Sequence, residues 1–94
     1  MPSWKGQVVA LLERHKRYPA AAESRHEQGT AQLFFSIDRG GRLLASRIVR
    51  GSGSSALDQE TLALVRRAQP FPPPPAEIAG SHVDLVVPIR FNIR

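Results

Sequence analysis

The stretch His82-Val83-Asp84-Leu85-Val86-Val87-Pro88-Ile89-Arg90-Phe91-Asn92-Ile93 decides the fold of this chain. Its odd-numbered positions are all apolar and most even-numbered ones are polar, charged or proline, a period of two that is typical of a half-buried β-strand. Proline has no N–H to donate to a neighbouring strand, so Pro88 is tolerated mainly at the edge of a sheet. An edge strand offers unpaired backbone groups to another strand. The stretch therefore predicts a docking edge rather than a catalytic pocket.

The composition limits both the size of the fold and its chemistry. A chain of 94 residues forms one domain of about two packed layers. It contains no cysteine, which excludes disulfides and thiolate metal sites. The 13 Lys and Arg exceed the 8 Asp and Glu to give a net charge of +5, which favours acidic partners. The positive charges are scattered, so no basic nucleic-acid-binding arm is present.

The first part of the chain predicts two helices. The first is capped by Ser3 and ends before Tyr18, because the residue preceding Pro19 is pushed out of the helical region. Its stripe recurs at helical spacing and consists of Trp4, Val8, Leu11, Leu12 and His15. Pro19 suits the first turn of a second short helix, Ala20–Glu27, which we expect Gly29 to end with a positive φ.

Two strands and their hairpin follow. Thr30–Asp38 alternates between apolar and polar residues, and the glycine-rich turn Asp38–Gly41 leads back into a second strand. In that second strand the apolar Leu43 and Ile48 lie an odd number of residues apart. One face cannot hold both at a strict period of two, so we expect a β-bulge near Ala45.

A third helix precedes the final strand. Ser55 and Asp58 resemble a capping box at the start of a helix over Ala56–Gln69. Its predicted buried stripe consists of Leu57, Thr61, Leu64, Val65 and Ala68. The proline run Pro70–Pro75 ends this helix and forms a rigid connector with Phe71 in the core. The predicted order of elements is therefore α-α-β-β-α-β.

The sequence carries no motif of a catalytic or metal-binding site. His15, His26 and His82 share no helical face and cannot supply three convergent metal ligands. Neither a nucleophile elbow nor a phosphate-binding loop is present. We therefore expect no catalytic residues, no metal and no cofactor. Phe34 is the one outward aromatic of the first strand, where an RNA-binding platform carries two or three, so we expect no nucleic-acid partner.

A set of short motifs, each present once, follows a fixed order along most of the chain. The motifs are Arg17-Tyr18-Pro19, Gly29 with Leu33, Phe35 and Ile37, Asp38–Gly41 with Leu43 and Ile48, Ser52-Gly53 with Leu57-Asp58, Val65-Arg66-Arg67, Pro70–Pro73 and Pro88–Phe91. Taken together they resemble the C-terminal periplasmic domain of the TonB energy-transducer family. We therefore expect a single domain over residues 1–94, with an N-terminal helix at 1–16 and a family-matching core at 17–94.

The resemblance implies an α+β fold, in which helices pack on one face of a three-stranded antiparallel sheet. It also implies a periplasmic domain that binds the TonB box, a short peptide of outer-membrane transporters, by adding it as a strand to the last strand. Members of the family couple the proton-motive force to uptake of siderophores, haem or cobalamin. An ExbB–ExbD-type motor drives them through a membrane helix and a Pro-rich spacer that lie outside this chain.

The candidate partner-binding residues come from two arguments. The resemblance implies that the segment Arg17-Tyr18-Pro19 lies beside the bound peptide. In a strand, the N–H and C=O of one residue point to the same side and those of the next residue to the other side. If the missing N–H of Pro88 faces the open edge, the backbone of its even-numbered neighbours faces it too. The candidates are Arg17, Tyr18, Pro19, Val86, Pro88, Arg90 and Asn92.

Three alternatives stay open at this point. A TolA-like domain is similar in build but serves envelope integrity. A small basic nucleic-acid-binding domain belongs to a different class and would show steep salt dependence of its affinity. An unpaired edge strand could also pair with the same strand of a second copy to form a homodimer.

Overall fold

The structure, a computed structural model, describes residues 3–93. Its elements are α1 (Trp4–His15), α2 (Ala20–Ser24), β1 (Gly29–Asp38), β2 (Leu43–Arg50), α3 (Ser55–Arg67) and β3 (His82–Phe91). This order confirms the predicted α-α-β-β-α-β sequence and the α+β class. Met1, Pro2 and Arg94, the outermost residues of the predicted single domain, lie outside the described residues.

The three strands form one antiparallel sheet in the order β2-β1-β3, with β1 in the centre. Buried side chains of all three helices share a single core with one face of this sheet. The sheet supplies to that core Leu33, Phe35 and Ile37 of β1 and Val83, Leu85, Val87, Ile89 and Phe91 of β3. Every odd-numbered residue of β3 is buried and every even-numbered one is exposed. The predicted alternation of the last strand is confirmed.

The first and third helices begin with serine caps. Ser3 caps α1 as predicted, since its side chain accepts a hydrogen bond from the N–H of Gly6 at 3.0 Å. The cap of α3 is Ser54 rather than the predicted Ser55, because its hydroxyl accepts from the N–H of Leu57. Asp58 is not the fourth residue of a capping box; its carboxylate accepts from the N–H and the hydroxyl of Ser52 in the preceding loop.

The predicted end of the second helix was wrong. Helix α2 stops at Ser24, and His26, with φ of 56°, adopts the left-handed conformation expected of Gly29. Gly29 instead begins β1. A side chain is excluded there because a Cβ atom would overlap the carbonyl oxygen of Ser52. The glycine is required by close approach of a loop, not by its backbone angle.

The predicted bulge in β2 is confirmed and a second one accompanies it. The register passes from Ser36 opposite Ala45 to Ile37 opposite Leu43, so Leu44 is skipped. A further shift between Gln32 and Leu33 skips Val49. Both skipped residues are exposed. The pairing of β1 with β3, in contrast, runs through ten consecutive residue pairs without a shift.

The proline connector packs into the fold as predicted. Phe71 is 2% exposed and stacks on Phe35 with ring centroids 5.3 Å apart. Its N–H donates to the carbonyl of Gly41 at 2.9 Å, which joins the connector to the β1–β2 hairpin. The indole of Trp4 donates to the carbonyl of Pro72 at 2.8 Å and fixes the start of α1 to the same segment.

We expect Gly41→Ala to destabilise the domain and Gly40→Ala to change it little. Gly41 has a φ of +88°, and a Cβ atom there would overlap the carbonyl of Phe71. The left-handed conformation alone costs about 1–2 kcal/mol for an L-residue, so the total loss should reach about 2 kcal/mol or more. At Gly40 a Cβ atom would lie 3.4 Å from Asp38 Oδ1. Chemical denaturation of both variants checks this expectation, and equal stabilities would contradict it.

Candidate functional site

The outer edge of β3 is the side of this strand that faces away from β1. The N–H of Asp38, an even-numbered residue of β1, donates to the carbonyl of Arg42 at 2.9 Å, toward β2. Because backbone groups alternate sides along a strand, the odd-numbered residues of β1 bond to β3. Their partners in β3 are odd-numbered as well, as in the pair Leu33 and Val87. The even-numbered residues of β3 therefore direct their N–H and C=O groups to the outer edge.

Two further hydrogen bonds agree with this orientation. The carbonyl of Arg90 accepts from the ammonium of Lys16 at 2.5 Å, outside the sheet. The N–H of Ile93 donates to the side chain of Gln28, the residue just before β1, at 3.0 Å. The N–H and C=O of Val86, the C=O of Pro88 and the N–H of Arg90 thus point outward, as the position of Pro88 predicts. Contact of these groups with a partner stays a prediction.

The segment between α1 and α2 reaches the end of β3 through Tyr18. The Tyr18 ring packs edge-on against Phe91, with centroids 5.7 Å apart and an interplanar angle of 89°. Its hydroxyl donates to the carbonyl of Glu27. Burial raises the pKa of Tyr18, and the charges of Glu23 and Glu27 raise it further, so the phenol stays a donor at neutral pH. Tyr18 therefore braces this segment against the last residue of β3.

An ion pair on α3 holds the same segment from the other side. Glu60 and Arg67 lie 2.6 Å apart, and the Glu60 side chain is only 10% exposed. The Glu60 carboxylate also accepts from the N–H of Arg17 at 2.9 Å, and Arg67 donates to the carbonyl of His15 at 2.9 Å. The Arg17 side chain itself is exposed. Sequence reasoning missed Glu60 and Arg67, because two charges seven residues apart on a helix carry no distinctive signal.

The structure brings some of the predicted site residues together and separates others. A shallow hollow at the β3 edge is lined by Glu13, Lys16, Pro88, Arg90 and Asn92. Pro19 lies elsewhere, in a hollow between α2 and α3 that Glu60 also lines. Glu13 and Lys16 were not among the predicted residues, and only the position of Lys16 beside the Arg17-Tyr18-Pro19 motif could have indicated them.

The described residues contain no cluster of metal-ligating side chains. Across residues 3–93, no three His, Asp or Glu side chains converge as a metal site would require. None of the helices in this range has the length and apolar character needed to cross a membrane.

Comparison with solved structures defines the class of the domain. The fold is similar to an NMR solution structure of the TonB C-terminal domain of Helicobacter pylori, with a TM-score of 0.82 and 21% identity over 97% of this chain and 81% of that chain. It is also similar to the structure of the HasB C-terminal domain, with a TM-score of 0.64 and 41% identity over 98% of this chain and 71% of that chain. The fold is that of a TonB-type C-terminal domain.

Sequence comparison identifies the family. The family described as Gram-negative bacterial TonB protein C-terminal matches residues 14–93, and this chain belongs to it. The TonB protein of Pseudomonas putida is 36% identical over 99% of this chain and 39% of that protein. The TonB protein of Pasteurella multocida is 37% identical over 97% of this chain and 34% of that protein. The chain therefore spans well under half the length of these relatives.

We expect Val86→Pro to leave the fold largely intact and Val87→Pro to disrupt it. The Val86 N–H points outward at the edge, where proline is tolerated. The N–H of Val87 points toward β1, and its loss leaves a buried carbonyl of the central strand unpaired, at about 1–3 kcal/mol. Thermal unfolding followed by circular dichroism compares the two variants. Val86→Pro as the more damaging change would reverse the assigned orientation of β3.

Proposed function

We propose that this chain is the partner-binding domain of a TonB-type energy transducer. It binds the TonB box of outer-membrane transporters by adding that peptide as a strand to the outer edge of β3. The observation that carries this proposal is the difference between the two edges of the sheet. The edge at β2 is interrupted by two bulges, whereas β3 offers a straight run of outward backbone groups along its length.

The β2 edge is further covered by a side chain. The amide oxygen of Gln69 accepts from the N–H of Leu43 at 2.8 Å, and this N–H is an outward group of β2. Bulges, and groups that cover the edge, are among the devices by which proteins keep an edge from pairing. The β3 edge lacks bulges over its whole pairing with β1, so it supports strand addition and the β2 edge does not.

Strand addition accounts for the chemistry of the site. Main-chain hydrogen bonds supply most of the affinity and a few side-chain contacts supply specificity. Each bond contributes about 0.5–1.5 kcal/mol net, and the outward groups of Val86, Pro88 and Arg90 offer several. A site built in this way requires no catalytic residues, and we propose that the domain is not an enzyme.

The same proposal sets the cellular role. The domain lies in the periplasm, and the remaining length of the protein links it to the inner membrane and to an ExbB–ExbD-type motor. Coupling to the proton-motive force then drives uptake of siderophores, haem or cobalamin by the transporter that carries the bound peptide. Family membership and the open β3 edge support this role over that of a TolA-like domain.

A peptide-binding measurement with proline variants tests the proposed docking edge. We expect a synthetic TonB-box peptide to bind the wild-type domain in isothermal titration calorimetry, and Val86→Pro to weaken binding by about tenfold or more through loss of a central edge donor. The matched variant Val49→Pro alters a bulge of the opposite edge, where proline is tolerated, and should keep the affinity. If only Val49→Pro lost peptide affinity, the docking edge would be that of β2. Preference for peptides of Tol-system proteins would favour the TolA-like role.

Two substitutions of Tyr18 separate its ring from its hydroxyl. Tyr18→Phe removes the bond to the Glu27 carbonyl but keeps the packing on Phe91. It should therefore lower stability by about 1 kcal/mol with little change in peptide affinity. Tyr18→Ala removes both contacts, releases the segment beside β3 and should lower peptide affinity severalfold. If Tyr18→Ala kept the wild-type peptide affinity, Tyr18 would have no part in peptide binding and would serve only to end α1 before Pro19.

A further inference from the structure

The side chain of Lys16 occupies the end of the proposed docking edge. Its ammonium donates to the carbonyl of Arg90 at 2.5 Å and pairs with the Glu13 carboxylate at 2.8 Å. It also lies 5.5 Å from the centroid of the Phe91 ring. The Lys16 side chain is 23% exposed. These three contacts hold it beside β3, so it is not a free surface charge.

The carbonyl of Arg90 is one of the outward groups that an added strand would use. A hydrogen bond from an ammonium to a carbonyl is charge-assisted and stronger than one from a neutral amide. A cation near an aromatic face adds further attraction. An N–H of an incoming strand therefore competes with a stronger donor at Arg90. The outward backbone groups of Val86 and Pro88 lie closer to the middle of β3, and the hydrogen bond of Lys16 to the strand goes to Arg90 instead.

The opposite edge shows the same device. There the side chain of Gln69 caps the outward N–H of Leu43, just as Lys16 caps the outward carbonyl of Arg90. Lysine is a residue with which proteins commonly cover sheet edges. The two edges differ in how much of each is blocked. On β2, bulges interrupt the strand in addition to the Gln69 cap. On β3, the Lys16 cap covers only one end of an otherwise straight edge.

We propose that Lys16 determines how far a docking peptide can pair along β3. The peptide engages Val86 and Pro88 directly, and it reaches the carbonyl of Arg90 only by displacing the Lys16 ammonium. Lys16 is thus a specificity-determining residue that favours peptides whose strand ends near Pro88. This inference rests on the proposed function, since it specifies the length of edge that strand addition uses.

The test compares Lys16→Met with Lys5→Met. Methionine keeps the apolar stem of Lys16 and removes its donor, and Lys5 is an exposed residue of the same helix whose replacement makes the same change in net charge. We expect Lys16→Met to bind a ten-residue TonB-box peptide about three- to tenfold more tightly than the wild type, and Lys5→Met to bind like the wild type. The tenfold limit corresponds to about 1.4 kcal/mol, the size of one hydrogen bond.

A carbonyl NMR measurement reads the contact directly. The ¹³C resonance of the Arg90 carbonyl should move in free Lys16→Met, and added peptide should move it back toward its hydrogen-bonded position. Equal or weaker binding by Lys16→Met would overturn the inference, because Lys16 would then be neutral or a direct peptide contact. If no peptide binds either protein, the proposed function fails, and the free Arg90 resonance alone decides whether Lys16 caps the edge. An unchanged resonance in Lys16→Met would reject the cap.

Discussion

The unbroken pairing of β1 with β3 is the constraint on which the rest of the molecule depends. Ten consecutive pairs keep the register constant from Gly29 opposite Phe91 to Asp38 opposite His82. Side chains and backbone groups both alternate with a period of two, so a residue of β3 that is even-numbered is exposed and also directs its backbone outward. A slip by one residue would exchange core and surface along the entire strand. The apolar core therefore fixes which backbone groups face the outer edge of β3.

Pro88 is compatible with this register in both its side chain and its backbone. Its side chain is on the exposed face, and its missing N–H is on the side where β1 needs no donor. The same residue at position 87 or 89 would remove a bond to the central strand and place a proline ring in the core. The buried neighbours Val87 and Ile89 thus make the proline tolerable, and the proline in turn indicates which edge of the sheet is open.

Much of the fold was predictable because its signals are local. The alternation of β3, the buried stripe of α3 and the bulge beside Ala45 all follow from the period of apolar residues over a few turns or strand positions. The serine that caps α3 and the role of Gly29 were not predictable in this way. Both depend on the loop around Ser52, which is distant in sequence from the start of β1 but lies close to it in the fold. The second bulge, at Val49, had no counterpart in the apolar pattern.

The geometry of the candidate site was predictable only where it follows from β3 itself. The orientation of Val86, Pro88 and Arg90 follows from parity within one strand. The surroundings of that strand come from α1 and α3, and no short-range pattern connects Lys16 with Arg90 or Glu60 with Arg17. For this reason the motif Arg17-Tyr18-Pro19 drew attention to a segment that packs on the end of β3 through Tyr18 but gave no position for each residue within it.

The contacts of that segment explain how the outer edge of β3 is joined to the rest of the domain. Arg67 and Glu60 bind the backbone at His15 and Arg17 from α3, and Tyr18 packs on Phe91 at the end of β3. Under the proposed function, a docked peptide that is pulled along β3 loads the hydrogen bonds to β1 together, because antiparallel bonds lie perpendicular to the strands. The segment between α1 and α2 then receives part of that load directly from β3 through Tyr18. The partly buried ion pair on α3 keeps the segment in place. The proposed peptide contacts and the contacts that fix this segment therefore lie at the same end of the sheet.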